Sequence, residues 1–353
     1  FSDDANGALL LEPTATNSIL YSEDFSNAAW TTLASGETVA INSVISPDGT
    51  LNADTLEGDG TATNVYLRND ITLSTSVDYT FSIFAKKGTN DFLAISAAGF
   101  TGSTNTDVTF DLNNSVVTGG IGNIENYGNG WLKCSYTIAI STDGVGRFLI
   151  YSSYSGTVKS FPTSADAIGK NIYLFGASLE ENSYATSYIK TIGTAQTRVA
   201  DTATGSGNST VINSTEGVLY AEMAGIENDG TFKVISISDG TTSNVVRFYK
   251  NTTDNQLSIR VTSSGVNYFN EIFTLTDSTA TNKVALKYKE NDFAFWVNGV
   301  EVKLDNNGLT PIGLNVLNFS EGGGGSPFYG KTKSVQVYTT ALSDAELISL
   351  TTI

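Results

Sequence analysis

The chain has 353 residues, which is long enough for two ordinary domains that each bury a hydrophobic core. Hydrophobic residues make up 40% and charged residues 16% of the sequence, a balance that excludes an intrinsically disordered protein. Its 19 basic and 36 acidic residues give a formal net charge of −17, which disfavours binding to nucleic acid and to anionic membrane lipid.

The residue types predict an all-β protein. The 16 tyrosines and 18 phenylalanines suit pleated strands and the 34 glycines suit tight turns, whereas helix formers such as methionine, lysine and arginine are scarce. We therefore predict two tandem antiparallel β-sandwich (jelly-roll) domains with one short C-terminal helix. The chain begins at Phe1 without a methionine, as expected for a processed chain or for a piece of a longer one.

Alternating apolar and polar residues predict the strands of the first half. Tyr79, Phe81 and Ile83 alternate with polar residues, and turn-forming residues bound the segment. Other strands are predicted in this half at 92–97, 147–151 and 171–179. The one cysteine, Cys134, shares a strand face with apolar residues, so we expect its thiol to be buried and unreactive.

The apolar pattern lapses between Thr197 and Gly217, where small polar residues follow one another. Such a stretch is typical of a connection between domains. The predicted organisation is an N-terminal extension at 1–16, a first domain at 17–198, a linker at 199–214 and a second domain at 215–353.

The second half carries strand patterns and two local signals. Strands are predicted at 218–223, 233–238, 245–250, 257–261, 293–297 and 300–304. The last two flank Asn298 and Gly299, which tolerate the positive φ angles of a type I′ turn and therefore predict a β-hairpin. Ser343 and Glu346 have the spacing of a capping box, which predicts a short helix near the end of the chain.

The sequence contains no histidine, which excludes Ser-His-Asp and Cys-His nucleophilic catalysis and histidine-ligated zinc. The remaining hydrolytic option is a pair of carboxylates, as in glycosidases. The candidate acids are Asp24, Glu57, Asp59, Glu180 and Glu181. Acidic residues lie mostly in turns beside glycine and asparagine, where turn formation alone explains them. We therefore predict a protein that is not an enzyme, while spacing leaves open a dyad assembled in space.

An ordered series of motifs in the first half resembles the jelly-roll, carbohydrate-binding-module-like domain of phage tail fibres. The motifs are LLLEP at 9–13, TN at 16–17, YSEDFSNAAW at 21–30, PDG at 47–49, YTFS at 79–82, GNGW at 128–131, CS at 134–135, YLFGA at 173–177, LE at 179–180, SYATSY at 183–188 and TR at 197–198. Ala15 stands where this family usually has arginine, and Lys190 where it usually has proline. Neither departure affects the expected fold.

The second half resembles the concanavalin-like (laminin-G-like) domains found at the C-termini of similar proteins. The matching segments are STEG at 214–217, KVALKY at 283–288, NDF at 291–293, WVNG at 296–299, FYGK at 328–331 and ALSDAEL at 341–347. Together the two resemblances cover almost the whole chain. They specify the architecture more closely than the ligand, because such folds host many partners.

The resemblance implies a phage tail-fibre-like receptor-binding protein that recognises cell-surface polysaccharide without chemical turnover. It implies a place on the virion surface, hence extracellular. No apolar run in the sequence approaches the length of a membrane span, so no membrane insertion is expected. Its expected partners are copies of itself, usually as a trimer, or other virion proteins. Two alternatives are a structural fibre or decoration protein that serves assembly only, and the binding modules of a polysaccharide-degrading enzyme.

Aromatic residues beside hydrogen-bonding groups are candidate sugar contacts, because sugar rings stack their C–H faces on aromatic rings. The candidates are Tyr66, Arg68, Tyr151, Tyr154 and Trp131 in the first domain, and Arg247, Tyr249 and Trp296 in the second. A scaffold role is the alternative for the two tryptophans, which lie within the family-like motifs. Cross-strand pairing is the alternative for the last arginine and tyrosine.

By resemblance, jelly-roll modules of the carbohydrate-binding type hold a structural calcium ion near their first and last strands. Asp24 and Glu180 fall in those segments, and carboxylate oxygens are ligands that calcium prefers. The alternative is that Asp24 only caps the turn before Phe25. No other cofactor is expected.

Overall fold

The computed structural model describes residues 7–31, 36–75, 77–103 and 107–353. It divides into two compact units, which we call the first and second units. The first unit is Thr14–Val199, and the second combines Ala200–Ile353 with residues 7–13. The described chain therefore starts in the second unit, enters the first after Pro13 and returns after Val199.

The first strand, β1 (Leu9–Leu11), belongs to the second unit. The strands of the first unit are β2 (Ala15–Asn17), β3 (Trp30–Thr31), β4 (Glu37–Ile45), β5 (Leu51–Gly58), β6 (Tyr66–Leu73), β7 (Asp78–Lys87), β8 (Phe92–Ala98), β9 (Asp107–Asp111), β10 (Val116–Gly119), β11 (Asn123–Gly128), β12 (Trp131–Ala139), β13 (Gly144–Ser152), β14 (Asn171–Glu180) and β15 (Gln196–Arg198). A one-turn helix that the sequence patterns did not predict, α1 (Ser164–Ala167), precedes β14.

Two six-stranded antiparallel sheets build the first unit. Sheet I has the strand order β10-β9-β8-β13-β6-β3, and sheet II has the order β11-β12-β7-β14-β5-β4. The short strands β2 and β15 pair with each other. The core between the sheets includes Phe148 of sheet I and Phe81 and Cys134 of sheet II. Cys134 is buried as expected, and burial raises the pKa of its thiol.

The second unit is also a β-sandwich. Its remaining elements are β16 (Glu216–Gly225), β17 (Lys233–Ser238), β18 (Val245–Lys250), β19 (Gln256–Ser263), β20 (Val266–Thr274), β21 (Asn282–Lys289), β22 (Phe293–Val297), β23 (Val300–Asp305), β24 (Val316–Asn318), β25 (Gly330–Tyr338) and α2 (Asp344–Thr351). Sheet III has the order β1-β25-β16-β21-β22-β23, and sheet IV has the order β20-β19-β18-β17-β24. Leu219, Phe248 and Phe295 pack in the core between them. The predicted all-β fold of two antiparallel sandwiches is confirmed.

The β-hairpin and the helix cap predicted in the second half are both present in the structure. Asn298 and Gly299 have φ angles of 50° and 82° and join β22 to β23 as a hairpin. At the start of α2, the Glu346 carboxylate accepts hydrogen bonds from Ser343 N at 2.8 Å and from Ser343 Oγ at 2.6 Å. Neither helix in the described ranges is long and apolar enough to cross a membrane.

The structure places the segments predicted as an extension and a linker within the folded units. Leu9–Leu11 pairs with β25, and Glu12 N donates to the carboxylate of Asp201 at 2.9 Å. Ile212, from the polar stretch after the first unit, is buried in the second core. In the polar stretch, backbone hydrogen bonds such as those between Ser206 and Leu317 hold the chain, and these do not depend on apolar side chains.

Candidate functional site

The outer face of sheet I carries a groove of about 360 Å3, which we call the tyrosine groove. Phe148 and Ile150 of β13 point into the core. Because side chains alternate along a strand, Arg147 and Tyr151 point to the opposite face. The polar and aromatic residues that line the groove are Tyr66, Arg68, Ser96, Asp107, Arg147, Tyr151 and Lys159.

Two tyrosine rings form the aromatic part of the groove. Tyr66 and Tyr151 lie directly opposite each other in the register of β6 and β13. Their ring centroids are 5.0 Å apart, and the rings are tilted by 42°. Burial raises the pKa of Tyr151 to about 12, with smaller contributions from Tyr66 and Asp107. The Tyr151 hydroxyl therefore stays protonated at neutral pH and can both donate and accept a hydrogen bond.

A lysine from the loop after β13 reaches into the groove. Lys159 Nζ lies 2.7 Å from Asp107 Oδ1 and 3.0 Å from Ser96 Oγ. The same ammonium group lies 5.1 Å from the centre of the Tyr151 ring. Ser96 Oγ also donates to Asp107. Burial raises the pKa of Asp107, but the hydrogen bonds from Lys159 and Ser96 outweigh it and hold the pKa below its usual value. Asp107 is therefore an ionised acceptor at neutral pH.

Two arginines line the groove with different surroundings. Arg68 donates from Nε and Nη2 to the two carboxylate oxygens of Asp70, each at 2.7 Å. This bidentate contact raises the pKa of Arg68 and fixes the side chain. The guanidinium of Arg147, by contrast, has no hydrogen-bond or ion-pair partner among the residues that the structure describes. Its five N–H donors are available to a bound molecule.

The groove can bind a small molecule that has both apolar faces and hydroxyl groups. Its volume of about 360 Å3 lies within the range of about 300–1,000 Å3 that is usual for small-ligand sites. Among the described residues that line it, Asp107 is the single carboxylate. The groove therefore does not assemble the carboxylate pair that glycoside hydrolysis requires.

Of the tyrosine and arginine candidates in the first domain, three lie together: Tyr66, Arg68 and Tyr151 line the groove. Tyr154 lies outside it, on the following loop, with 46% of its surface exposed. Its ring packs against Phe161 at 5.7 Å, and its backbone N–H donates to the carbonyl of Lys159 at 3.2 Å. Tyr154 thus belongs to the loop that positions the lysine.

The two tryptophan candidates are buried, as the scaffold interpretation of these residues expects. Trp131 is 1% exposed, and its indole N–H donates to the carbonyl of Ile45 at 3.0 Å. Trp296 is 4% exposed and packs with Leu347 of α2. A sugar ring has no access to either indole. Both tryptophans point away from the principal core as their strand patterns indicated, but more distant segments cover them.

The carboxylates proposed for calcium are occupied by protein hydrogen bonds. Asp24 Oδ1 accepts from Ser26 N at 3.2 Å and from Ser26 Oγ at 2.7 Å, so it caps its turn. Glu180 is fully buried, and its carboxylate accepts from Thr186 N and Oγ1. No group of three or more acidic, cysteine or histidine side chains with the spacing of a metal site occurs in the described ranges. Both carboxylates have hydrogen-bond donors within the protein.

In the second unit, Arg247 and Tyr249 lie on the outer face of sheet IV. The guanidinium carbon of Arg247 lies 5.2 Å from the centre of the Tyr249 ring. Arg260 of the neighbouring strand lies over the same ring at 5.9 Å. The structure therefore brings these two candidates together in a cluster with a second arginine.

Four polar residues of the groove, Ser96, Asp107, Arg147 and Lys159, were not predicted from the sequence, for different reasons. Arg147 lies four positions before Tyr151 in the same predicted strand, so strand alternation could have found it. Ser96 and Asp107 reach the groove through the register of β8 and β9. Lys159 reaches it through a loop. Neither the register nor the loop path can be read from local sequence.

No protein-family model and no curated protein matches the sequence. Among solved structures, the CBM40 domain of the Ruminococcus gnavus IT-sialidase matches at 20% identity with a TM-score of 0.35, over 42% of this chain and 94% of that one. Domains LG4-5 of the mouse laminin alpha1 chain match at 10% identity with a TM-score of 0.27, over 80% and 90% of the two chains. The SAP-like pentraxin of Limulus polyphemus matches at 14% identity with a TM-score of 0.32, over 41% and 72%. At these identities the likeness concerns the fold alone.

Proposed function

We propose that this protein binds carbohydrate through the tyrosine groove and does not alter it chemically. The observation that carries the proposal is the pairing of two tyrosine rings with Arg147, Lys159 and Asp107 in one small groove. Sugar rings offer apolar C–H faces to aromatic side chains and hydroxyl groups to polar ones. The groove supplies both kinds of contact, with donors and an acceptor around the aromatic pair.

Binding without turnover is supported by the chemistry of the groove. The pKa of Asp107 is held below its usual value, so this carboxylate is ionised and unsuited to act as a general acid. Both the retaining and the inverting route of glycoside hydrolysis by a pair of carboxylates need a second carboxylate. The sequence has no histidine that could replace it.

The biological setting that we propose is a phage tail-fibre-like receptor-binding protein on the virion surface. Its ligand would be a cell-surface polysaccharide, and its assembly a homo-oligomer, such as a trimer, or a complex with other virion proteins. The support is the series of motifs in both halves of the sequence that resembles such proteins. Repetition of a weak site on several subunits would raise the overall avidity for a polymer.

The test is a glycan array probed with the purified full chain, followed by titration of the glycans that bind. Tyr151→Ala removes one ring of the aromatic pair, and we expect it to weaken binding about tenfold or more, which corresponds to about 1.4 kcal/mol. Tyr268→Ala is the matched control, because this tyrosine is half-buried like Tyr151 but lies on β20 of the second unit, outside the groove. We expect it to bind like the wild type.

Three results would reject the proposal or a part of it. Equal affinity of the Tyr151→Ala variant and the wild type would show that the glycan binds elsewhere. Absence of any glycan signal from the folded chain would reject carbohydrate binding as the function. Cleavage of a bound polysaccharide during the titration would reject the non-catalytic part of the proposal.

A further inference from the structure

Two arginines face each other on the outer surface of sheet IV. Arg247 of β18 and Arg260 of β19 are direct partners in the antiparallel register. Their strands turn Phe248 and Ile259 into the core, so both arginines point outward. Like charges directly opposite each other across two strands are destabilising unless something neutralises them. The pair therefore requires a compensating group.

One tyrosine ring lies against both cations. Besides the two ring contacts described above, Arg260 Nη2 lies 3.5 Å from Tyr249 Oη. Phe232 extends the aromatic surface, since its ring centroid is 5.9 Å from that of Tyr249 and 45% of the residue is exposed. Cation–π contact stabilises a guanidinium but leaves its charge in place.

The carboxylates near the pair compensate only one of the two charges. Glu321 Oε1 accepts a hydrogen bond from Arg247 Nη1 at 2.7 Å. Arg260 has no carboxylate partner in the parts of the chain that the structure describes. The Nε atoms of both arginines are buried without a hydrogen-bond partner among the described residues. An unpaired charge that has lost part of its water is costly and favours a bound anion.

A hydrogen-bonded turn holds the Glu321 carboxylate in place. Glu321 opens a closed turn, in which its N–H donates to the carbonyl of Gly325 at 3.0 Å and its carbonyl accepts from Gly324 N at 2.8 Å. Gly322 lies so close to the carbonyl of Thr241 that a Cβ there would come within 2.1 Å of it. The turn therefore holds the glutamate beside Arg247, and the second guanidinium remains for a ligand.

We propose that Arg260, with Arg247, Tyr249 and Phe232, forms a second binding site, and that it binds the carboxylate of an acidic sugar. A guanidinium fork matches a carboxylate, and the adjoining exposed ring offers a platform for the sugar that carries it. The site lies on residues that the tyrosine groove does not use, so it stands or falls independently of the function proposed for that groove. It also places a cationic site in a chain whose net charge is −17.

The probes are polygalacturonate, hyaluronate and polysialic acid, each included in a native gel through which the full chain migrates. Fully methyl-esterified polygalacturonate is the matched neutral probe, because it keeps the sugar ring and removes the charge. We expect at least one acidic polymer to retard the wild type, and we expect the ester not to. The retardation should weaken as salt is added, since ion pairs at a partly exposed site are screened.

The decisive variant is Arg260→Gln, which removes the unpaired cation without leaving a protein carboxylate unpaired. We expect its dissociation constant for the retarding polymer to rise about tenfold or more. Lys289→Gln makes the same charge change on β21 of sheet III and should leave binding unchanged. Thermal unfolding of each variant shows whether the fold is retained.

Several results would overturn this inference. Retardation of the wild type by none of the three acidic polymers would exclude the site. Equal binding by folded Arg260→Gln and the wild type would place the interaction elsewhere on the protein. Equal retardation by the methyl ester would show that the charge of the polymer plays no role. Release of the polymer by inorganic phosphate at the same concentration of anionic groups would show a general anion site instead of a sugar site. Loss of binding in Tyr151→Ala but not in Arg260→Gln would assign the polymer to the tyrosine groove.

Discussion

Replacement of Lys133 by methionine is expected to lower the free energy of unfolding of the first unit by about 3–5 kcal/mol at pH 7. Lys133 and Glu180 are both buried, and both bind Thr186. The lysine Nζ donates to the threonine carbonyl at 2.6 Å, while the carboxylate accepts from the threonine Oγ1 at 2.5 Å. Removal of the cation leaves a buried carboxylate without its compensating charge, which is one of the most costly changes that a single substitution can make.

This loss should depend on pH, because burial raises the pKa of Glu180 above its ordinary value of 4.5. Hydrogen bonds from Thr186 and the charge of Lys133 oppose that rise without cancelling it. The folded state thus keeps this proton to a higher pH than the unfolded state. The contribution of protonated Glu180 to stability is complete below pH 4.5, and it is lost as the pH rises through the pKa of Glu180 in the folded state. Without Lys133 the folded pKa rises further, so the variant should lose more stability at pH 7 than at pH 3.5.

Urea unfolding of the two proteins at both pH values measures the effect. Lys170→Met is the matched control, since this lysine is exposed, and we expect no more than a small change. The double variant Lys133→Met with Glu180→Gln should recover part of the stability at pH 7, because it removes the uncompensated charge. An equal loss at the two pH values, or no recovery in the double variant, would contradict this account of the pair.

Features built from neighbouring residues were predictable from the sequence. Asn298 and Gly299 determine their turn through their own backbone conformations, and Ser343 and Glu346 cap their helix within one turn. Strand alternation is also a local signal, because successive side chains along a strand point to opposite faces of the sheet. The fold class follows from many such local signals that agree with one another.

Features built from distant segments were not predictable in the same way. Trp296 faces away from the core of its sandwich as expected, but it is covered by α2, and only the tertiary structure shows this. Arg260 is part of a candidate site only because it lies opposite Arg247, and this register depends on the turn between the two strands. Lys159 and Asp107 meet across a loop and a strand pair. Such sites depend on chain topology, which local sequence patterns do not encode.

The N-terminal strand β1 likewise depends on a distant segment, because it pairs with β25 near the other end of the chain. Deletion of residues 1–13 is expected to lower the free energy of unfolding of the second unit by at least about 3 kcal/mol. β1 pairs with β25 through Leu9–Leu11, and Leu11 is buried. The deletion also removes two hydrogen bonds, one from Glu12 N to the Asp201 carboxylate and one from Asp201 N to the Glu12 carbonyl. β25 would then become an exposed edge strand, which favours association between copies of the chain.

Hydrogen exchange followed by mass spectrometry tests this directly, because it reports each strand separately. The peptide that contains β25 should exchange faster in the deleted chain, while peptides of β7 and β14 in the first unit should not change. Two point variants separate packing from strand pairing: Leu11→Ala should cost about 2 kcal/mol, whereas Leu9→Ala, at a residue 46% exposed, should cost little. Unchanged exchange of β25 after the deletion would mean that the N-terminal strand contributes little to the second unit, and that its place in sheet III is held by the other strands alone.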